Sequence, residues 1–146
     1  MITYPPDGSH DNLRTENGVE FILIFTGTEM QDFNKVTAAQ FNWVDLKFGP
    51  GSLKGIKTAT IAEIGKYKIK YVIWKPGIQY PNHTHKDTEY ICVISGNLID
   101  SGTSFHPKTL LTYPPGSSHD KLRTENLAEF ILIYTGRENI NWEVRN

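Results

Sequence analysis

The residues best equipped for chemistry lie between Gly77 and Gly96, where His83, His85 and Glu89 follow one another at short intervals. Side chains at i and i+2 of an extended segment share a face, so His83 and His85 can point at one ion. Glu89 is too far along to join them on the same strand. It must return on a neighbouring segment, and Lys86-Asp87-Thr88 supplies a turn for that return. A fourth donor, His119, follows Pro114-Pro115-Gly116. Three imidazoles and one carboxylate suit a first-row divalent metal and leave coordination positions open. The bland alternative is a set of solvated loop histidines. The chain has only five histidines, and three stand at ligand spacing between turn residues, which favours the metal.

Other side chains near this run have weaker signals. Tyr80 and Tyr90 flank the ligands and could donate hydrogen bonds behind them, although ordinary strand packing explains both. Tyr71 and Trp74 lie on opposite faces of one strand, so at most one faces the metal. Tyr71 and Tyr80 are kept as candidate substrate contacts. Arg123 and Lys121, just after His119, could hold a substrate carboxylate, and a structural ion pair of Arg123 with Glu125 or Glu129 explains the arginine equally well. His106 has no second donor at useful spacing, and Trp43, Trp74 and Trp142 read as core.

The elements that must position these residues form an all-β pattern. Short runs rich in Val, Ile, Tyr, Phe and Thr alternate with Gly, Pro, Asn and Asp, which predicts strands at 19–25, 41–45, 57–63, 67–74, 80–85, 89–95, 98–100, 110–113 and 129–134. Gly49-Pro50-Gly51-Ser52 reads as a loop, and residues 31–40 as the one plausible helical turn. Many short strands without alternating helices argue for a sandwich or barrel. The run Phe130-Ile-Leu-Ile-Tyr134 fits a strand covered on both faces, with a second subunit as one candidate cover.

One repeat is conspicuous. Residues 3–27 and 112–136 are identical at 19 of 25 positions, at an offset of 109 residues. The simplest reading is a tandem duplication. Residues 1–27 are then an orphan copy of a closing hairpin, packed on a sheet edge or exchanged in a dimer, and residues 28–146 are one domain. His10 aligns with His119, but no His-x-His-x3-Glu precedes it.

The chain's 146 residues suffice for one domain with a proper core. Its formal charge of −1 and pI near 6.5, with scattered basic residues, argue against nucleic acid. The apolar runs are too short for a bilayer-spanning helix, and no charged start leads into an apolar stretch as in a signal peptide. The single Cys92 excludes an intrachain disulfide and reads as a buried small hydrophobe. A cytoplasmic setting, a small-molecule substrate, a homodimer and no nucleic-acid or membrane partner are the expectations.

The spacing Gly77-x5-His83-x-His85-x3-Glu89-x6-Gly96 resembles the first motif of the cupin superfamily at every defined position, and Pro114-x-Gly116-x2-His119 resembles the second. Lys108 stands where a glycine is expected and Arg123 where an asparagine is often found; neither is a ligand position. Trp43, Gly55-Ile56-Lys57 and Trp74-Lys75-Pro76-Gly77 are similar to ChrR-like cupins, a subgroup that also takes in small diketone-cleaving dioxygenases. The resemblance implies a double-stranded β-helix, or jelly-roll barrel, with one divalent metal ion per barrel. His83, His85, Glu89 and His119 would be its ligands, with Fe(II) favoured and Zn, Mn or Ni as alternatives. It further implies a dioxygenase acting on a diketone-like or other oxygenated organic substrate, with Glu89 as a displaceable ligand and catalytic residue. A redox-inert metal would instead suit isomerisation or hydrolysis. Two non-enzymatic readings stand beside these: a metal- or small-molecule-sensing module, and an inactive remnant of a two-barrel protein. Anti-sigma members of the ChrR-like group carry a zinc-containing segment before the cupin. Residues 1–40 hold one histidine and no cysteine, so sensing would need a partner chain.

Overall fold

Alternation of apolar and polar residues is the main force shaping the chain. The computed structural model describes residues 2–3, 15–18, 39–40, 43–64 and 66–135. The chain divides into two units, Met1–Asp45 and Leu46–Asn146. In the first, β1 (Ile2–Thr3) pairs antiparallel with β2 (Ala39–Gln40), with Ile2 opposite Gln40. A 3-10 helical turn spans Trp43–Asp45 where a strand was expected over 41–45. Strand propensity is realised only beside a sheet partner, and none of the described residues pairs with that turn. The end of the helical turn expected over 31–40 is instead the short β2. The strand expected over 19–25 lies outside the described residues, as do His10 and Trp142.

The second unit is built on a six-stranded antiparallel sheet. In chain order its strands are β3 (Gly49–Pro50), β4 (Ile56–Ile64), β5 (Tyr67–Trp74), β6 (Glu89–Ser95), β9 (Leu110–Tyr113) and β10 (Ala128–Tyr134). Across the sheet the order is β3-β4-β5-β10-β6-β9. The chain's last described strand therefore lies between two earlier ones, a non-local arrangement typical of jelly rolls. The expected loop at 49–52 thus begins with a two-residue edge strand, a position where Pro50 costs no ladder hydrogen bond.

Opposite this sheet lies a more irregular layer. β7 (Leu98–Asp100) and β8 (Thr103–Phe105) form a hairpin whose turn residues Ser101 and Gly102 both have positive φ, as a two-residue hairpin turn of the primed type requires. β8 stands where no strand was expected, although the Ser101-Gly102 pair signals the turn before it. Segment 117–124 runs between β7 and segment 77–85. Arg123 and Ile99 exchange backbone hydrogen bonds at 2.8 Å, and on the other side the Tyr80 amide donates to the Leu122 carbonyl. The strand expected over 80–85 is reduced to an isolated bridge between Thr84 and Ser118. Pro81 has no N–H to give, and Lys121, at φ 63°, turns its amide to the Asn82 side chain instead. Alternation survives the broken ladder: His83 and His85 are buried, Asn82 and Thr84 exposed.

The core lies between the layers. Phe130, Val72, Ile91, Val93, Leu98 and Leu122 are each no more than 3 % exposed. Ile131 and Ile133, on the other face of β10, are buried too, so this strand is covered on both sides as its apolar run implied. Cys92 is buried on that same outer face, opposite Ile131, and burial pushes its thiol pKa up. Among the described residues no helix is long and apolar enough to cross a membrane.

Candidate metal centre

Three separate pieces of backbone bring the expected ligands together. His83 and His85 come from the irregular 77–85 segment, Glu89 opens β6, and His119 follows the Pro114–Ser117 turn. That turn is held against His85 by two backbone hydrogen bonds, His85 amide to Ser117 carbonyl and Gly116 amide to His85 carbonyl. The backbone amide of His119 also donates to the carbonyl of His83 at 3.2 Å. One ligand atom from each of His83, His85, Glu89 and His119 lies within 4.8 Å of the others, and all four residues are buried. Donors at roughly 2.0–2.2 Å from an ion lie at most roughly 4.0–4.4 Å apart, so the set needs to contract by only a few tenths of an ångström. The donor chemistry and the spacing therefore fit a divalent cation.

The far ring nitrogens explain why the near ones converge. Nδ1 of His83 lies 3.0 Å from the Pro81 carbonyl, and Nδ1 of His85 lies 3.1 Å from that of Ser117. Nδ1 of His119 lies 3.0 Å from Oδ2 of Asp100. Each Nδ1–H donates to an oxygen, which leaves the Nε2 lone pair for the centre. Asp100 is itself held by the Tyr113 hydroxyl at 2.9 Å and the Asp120 amide at 3.2 Å. The Tyr113 ring packs on His119 with centroids 4.2 Å apart.

Charge is balanced tightly here. Burial alone would raise the Glu89 carboxyl, but the imidazoles of His119 and His85, whose Nε2 atoms lie 3.2 and 3.5 Å from its oxygen, outweigh it and hold the pKa at about 2. Asp100 is likewise lowered, with its hydrogen bonds from His119 and Tyr113 overcoming burial. Burial pushes His83 below its ordinary value of 6.5 and raises Tyr113, which donates to Asp100. Glu89 and Asp100 together put two carboxylates around His119, an excess of negative charge that a divalent cation would neutralise.

A cavity of about 250 Å³ opens beside the cluster and is lined by His83, Glu89 and His119 at one end. Val72, Ile91, Leu122, Phe130 and Leu132 form apolar walls, and Thr58, Lys70 and Tyr134 add polar groups from the sheet. Tyr80 also lines it, stacked on Trp74 at 5.6 Å and sharing a 3.0 Å hydrogen bond with Ser52.

The other candidate contacts fall elsewhere. Tyr71 does not line the cavity: alternation along β5 sends Val72 and Trp74 inward, and Tyr71 outward to donate its hydroxyl to Glu129 and meet the edge of Phe48. Arg123 does not line it either. Leu122 takes the inward position, and Arg123 pairs with Glu125 at 3.6 Å. Tyr90 alternates with Glu89 and so faces away. Asp100, Tyr113 and Lys70 were not among the residues expected at the site. The signal for Asp100 and Lys70 was a charged residue two positions from an apolar one in a short strand, Leu98 and Val72 respectively.

A two-layer jelly roll with three histidines and a glutamate buried between its layers defines the class of protein. The chain belongs to the ChrR Cupin-like domain family, whose model matches residues 31–139. Solved structures with the same fold include an acetylacetone dioxygenase from Acinetobacter johnsonii, with 12 % identity, TM-score 0.59, and coverage of 81 % of this chain and 84 % of that one. The polyketide cyclase RemF from Streptomyces resistomycificus is also similar, with 15 % identity, TM-score 0.58 and coverage of 69 % and 81 %. KdgF from Halomonas sp. is similar as well, with 19 % identity, TM-score 0.59 and coverage of 69 % and 96 %. No curated protein matches the sequence significantly.

Proposed function

We propose that this chain is a small-molecule metalloenzyme of the dioxygenase type. His83, His85 and His119 would hold one divalent ion, with Glu89 as a fourth, displaceable ligand. The observation that carries the reading is that His83, Glu89 and His119 line a cavity while their donor atoms converge with that of His85. Structural ions are enclosed by protein ligands, whereas a catalytic ion keeps a position for substrate. When bound, Fe(II) would supply the one-electron chemistry that dioxygen requires, and a redox-inert ion only Lewis acidity. The protein's part is to seat an oxygenated substrate against this face between the apolar walls Val72, Ile91 and Phe130, which exclude water. The Nδ1 contacts of the three histidines keep the donor set rigid.

The acetylacetone dioxygenase of the same fold supports a diketone-like substrate. RemF and KdgF share the fold as well, so the fold does not choose the reaction. A second reading, a sensing module, is favoured by the ChrR-like family match. Protein purified without added metal distinguishes the two. We expect bound iron, and oxygen uptake with acetylacetone that a chelator removes and Fe(II) restores. Stoichiometric zinc without turnover would favour sensing, and oxygen-independent turnover would replace dioxygenation by isomerase or hydrolase chemistry. Glu89→Gln should lower turnover more than metal content, since three imidazoles remain.

A further inference from the structure

The inner face of β5 carries Lys70, Val72 and Trp74 in alternation, and all three line the cavity. Lys70 is half-buried, and it is the charged residue on a strand face whose other cavity-lining members are Val72 and Trp74. Its nitrogen lies over the Tyr134 ring at 5.6 Å, and among the described residues it has no carboxylate within ion-pair distance. The ring face stabilises the cation without neutralising it.

Strand register fixes where this charge stands relative to the donor cluster. Lys70 is opposite Leu132 on β10, and Leu132 is opposite Ile91 on β6, one inward position from Glu89. Strands ~4.8 Å apart and alternate residues ~6.8 Å apart put the Lys70 and Glu89 backbones on the order of 12 Å from each other along the sheet. Leu132, Ile91 and the Tyr134 ring lie between. The cavity therefore carries a second charged position apart from the donor cluster. A divalent ion would offset Glu89 and Asp100 at the donor end, which leaves the Lys70 ammonium as the positive charge facing the cavity.

The geometry points to Lys70 as the anchor for an anionic group of the substrate. The substrate class is a small organic acid with a chelating pair of oxygens at one end and a carboxylate a few carbon atoms away, of which a neutral diketone such as acetylacetone reproduces only the chelating end. The chelating end rests on the metalloenzyme reading above; the anion site of Lys70 does not.

The test compares 4,6-dioxoheptanoate, a 1,3-diketone with a distant carboxylate, with its uncharged methyl ester. Both are titrated calorimetrically into Zn(II)-loaded protein, which avoids turnover, and into chelator-treated protein. The acid should bind at least about tenfold more tightly than the ester, as expected of a charge-assisted hydrogen bond. Lys70→Met should erase that preference with the ester's affinity unchanged, and Lys70→Arg should keep it. Equal affinity of acid and ester, failure of both to bind, or equal loss of both in Lys70→Met would overturn the assignment. Metal content of the same samples separates the two readings. An acid preference in protein that holds no metal leaves Lys70 standing and ends the metal centre, whereas metal without acid preference does the reverse.

Discussion

Asp100 shows how much of the centre lies behind the ligands. Its Oδ2 accepts from both His119 and Tyr113, so it sets the tautomer and the angle of His119. Asp100→Asn places an amide where a full charge now holds the imidazole. We expect metal affinity to fall by about 10–100-fold, the usual effect of losing such a partner, as read by competition with a chromophoric chelator, and the far-ultraviolet dichroism to stay unchanged. Acid should act on the same residues. His83 has a folded pKa below its ordinary 6.5, so the unfolded chain takes up that proton first and stability declines as pH falls below 6.5. Glu89, ordinarily at 4.5 and held at about 2, contributes stability above 4.5 that is lost as pH falls toward 2. Chelated protein should therefore melt at progressively lower temperature from pH 7.5 to 5.5 to 4. A melting temperature that is flat over this range would contradict the burial of the cluster.

At the scale of elements, turns decide whether the strands reach their partners. Gly96, at φ 69°, follows β6, and a Cβ there would lie 1.8 Å from the Leu127 carbonyl oxygen. No other residue fits. Lys108 occupies the analogous left-handed region at φ 74° in the turn before β9, where the cupin pattern has glycine. Its amide donates to the Val93 carbonyl at 2.9 Å, which ties the turn to β6. The left-handed conformation costs an L-residue about 1–2 kcal/mol, and glycine's looser unfolded chain returns roughly 0.5–1 kcal/mol of that. Lys108→Gly should thus raise stability by up to about 1 kcal/mol, seen as a melting temperature a few degrees higher. β5, β6, β7 and β9 were legible end to end, because each has a strong apolar run bounded by turn residues. The 80–85 run misled for a local reason. Tyr80-Pro81 reads as an extended dipeptide, but a proline cannot sustain a ladder.

For the molecule as a whole, the repeat is the feature with the largest consequence. Its first copy lies mostly outside the described residues. Its start is described: Ile2 and Thr3 align with Leu111 and Thr112, yet they pair with β2, whereas Leu111 and Thr112 pair with Ile91 and Tyr90 of β6. Within this sheet β9 is an edge strand and Leu110 on it is exposed, which is the situation that invites a further strand. We propose that residues 1–27 serve self-association by strand addition and that the working form is a homodimer. Removing them should shift sedimentation toward the monomer or lower solubility with metal content unchanged. His10→Ala should not alter metal content, because residues 112–136 follow the barrel strands directly and lose less loop-closure entropy than a distant copy. Metal loss in His10→Ala would show that the first copy displaces the second.

The sequence by itself determined the all-β class and the family, because both rest on local quantities: turn residues, period-two alternation and the spacing of His83, His85, Glu89 and His119. The tertiary structure alone decided what surrounds them. Whether Tyr71 or Val72 faces the cavity, and whether Asp100 or Arg123 meets His119, depends on strand register and on which layer covers which. A slip of one residue in register reverses every side chain of a strand, and nothing local records that choice. Asp100 and His119 are 19 residues apart in the chain, and Lys70 reaches the cavity only because β10 inserts between β5 and β6. Contacts of that kind come from packing, where burial of Phe130 and its neighbours outweighs the preferences of the individual residues.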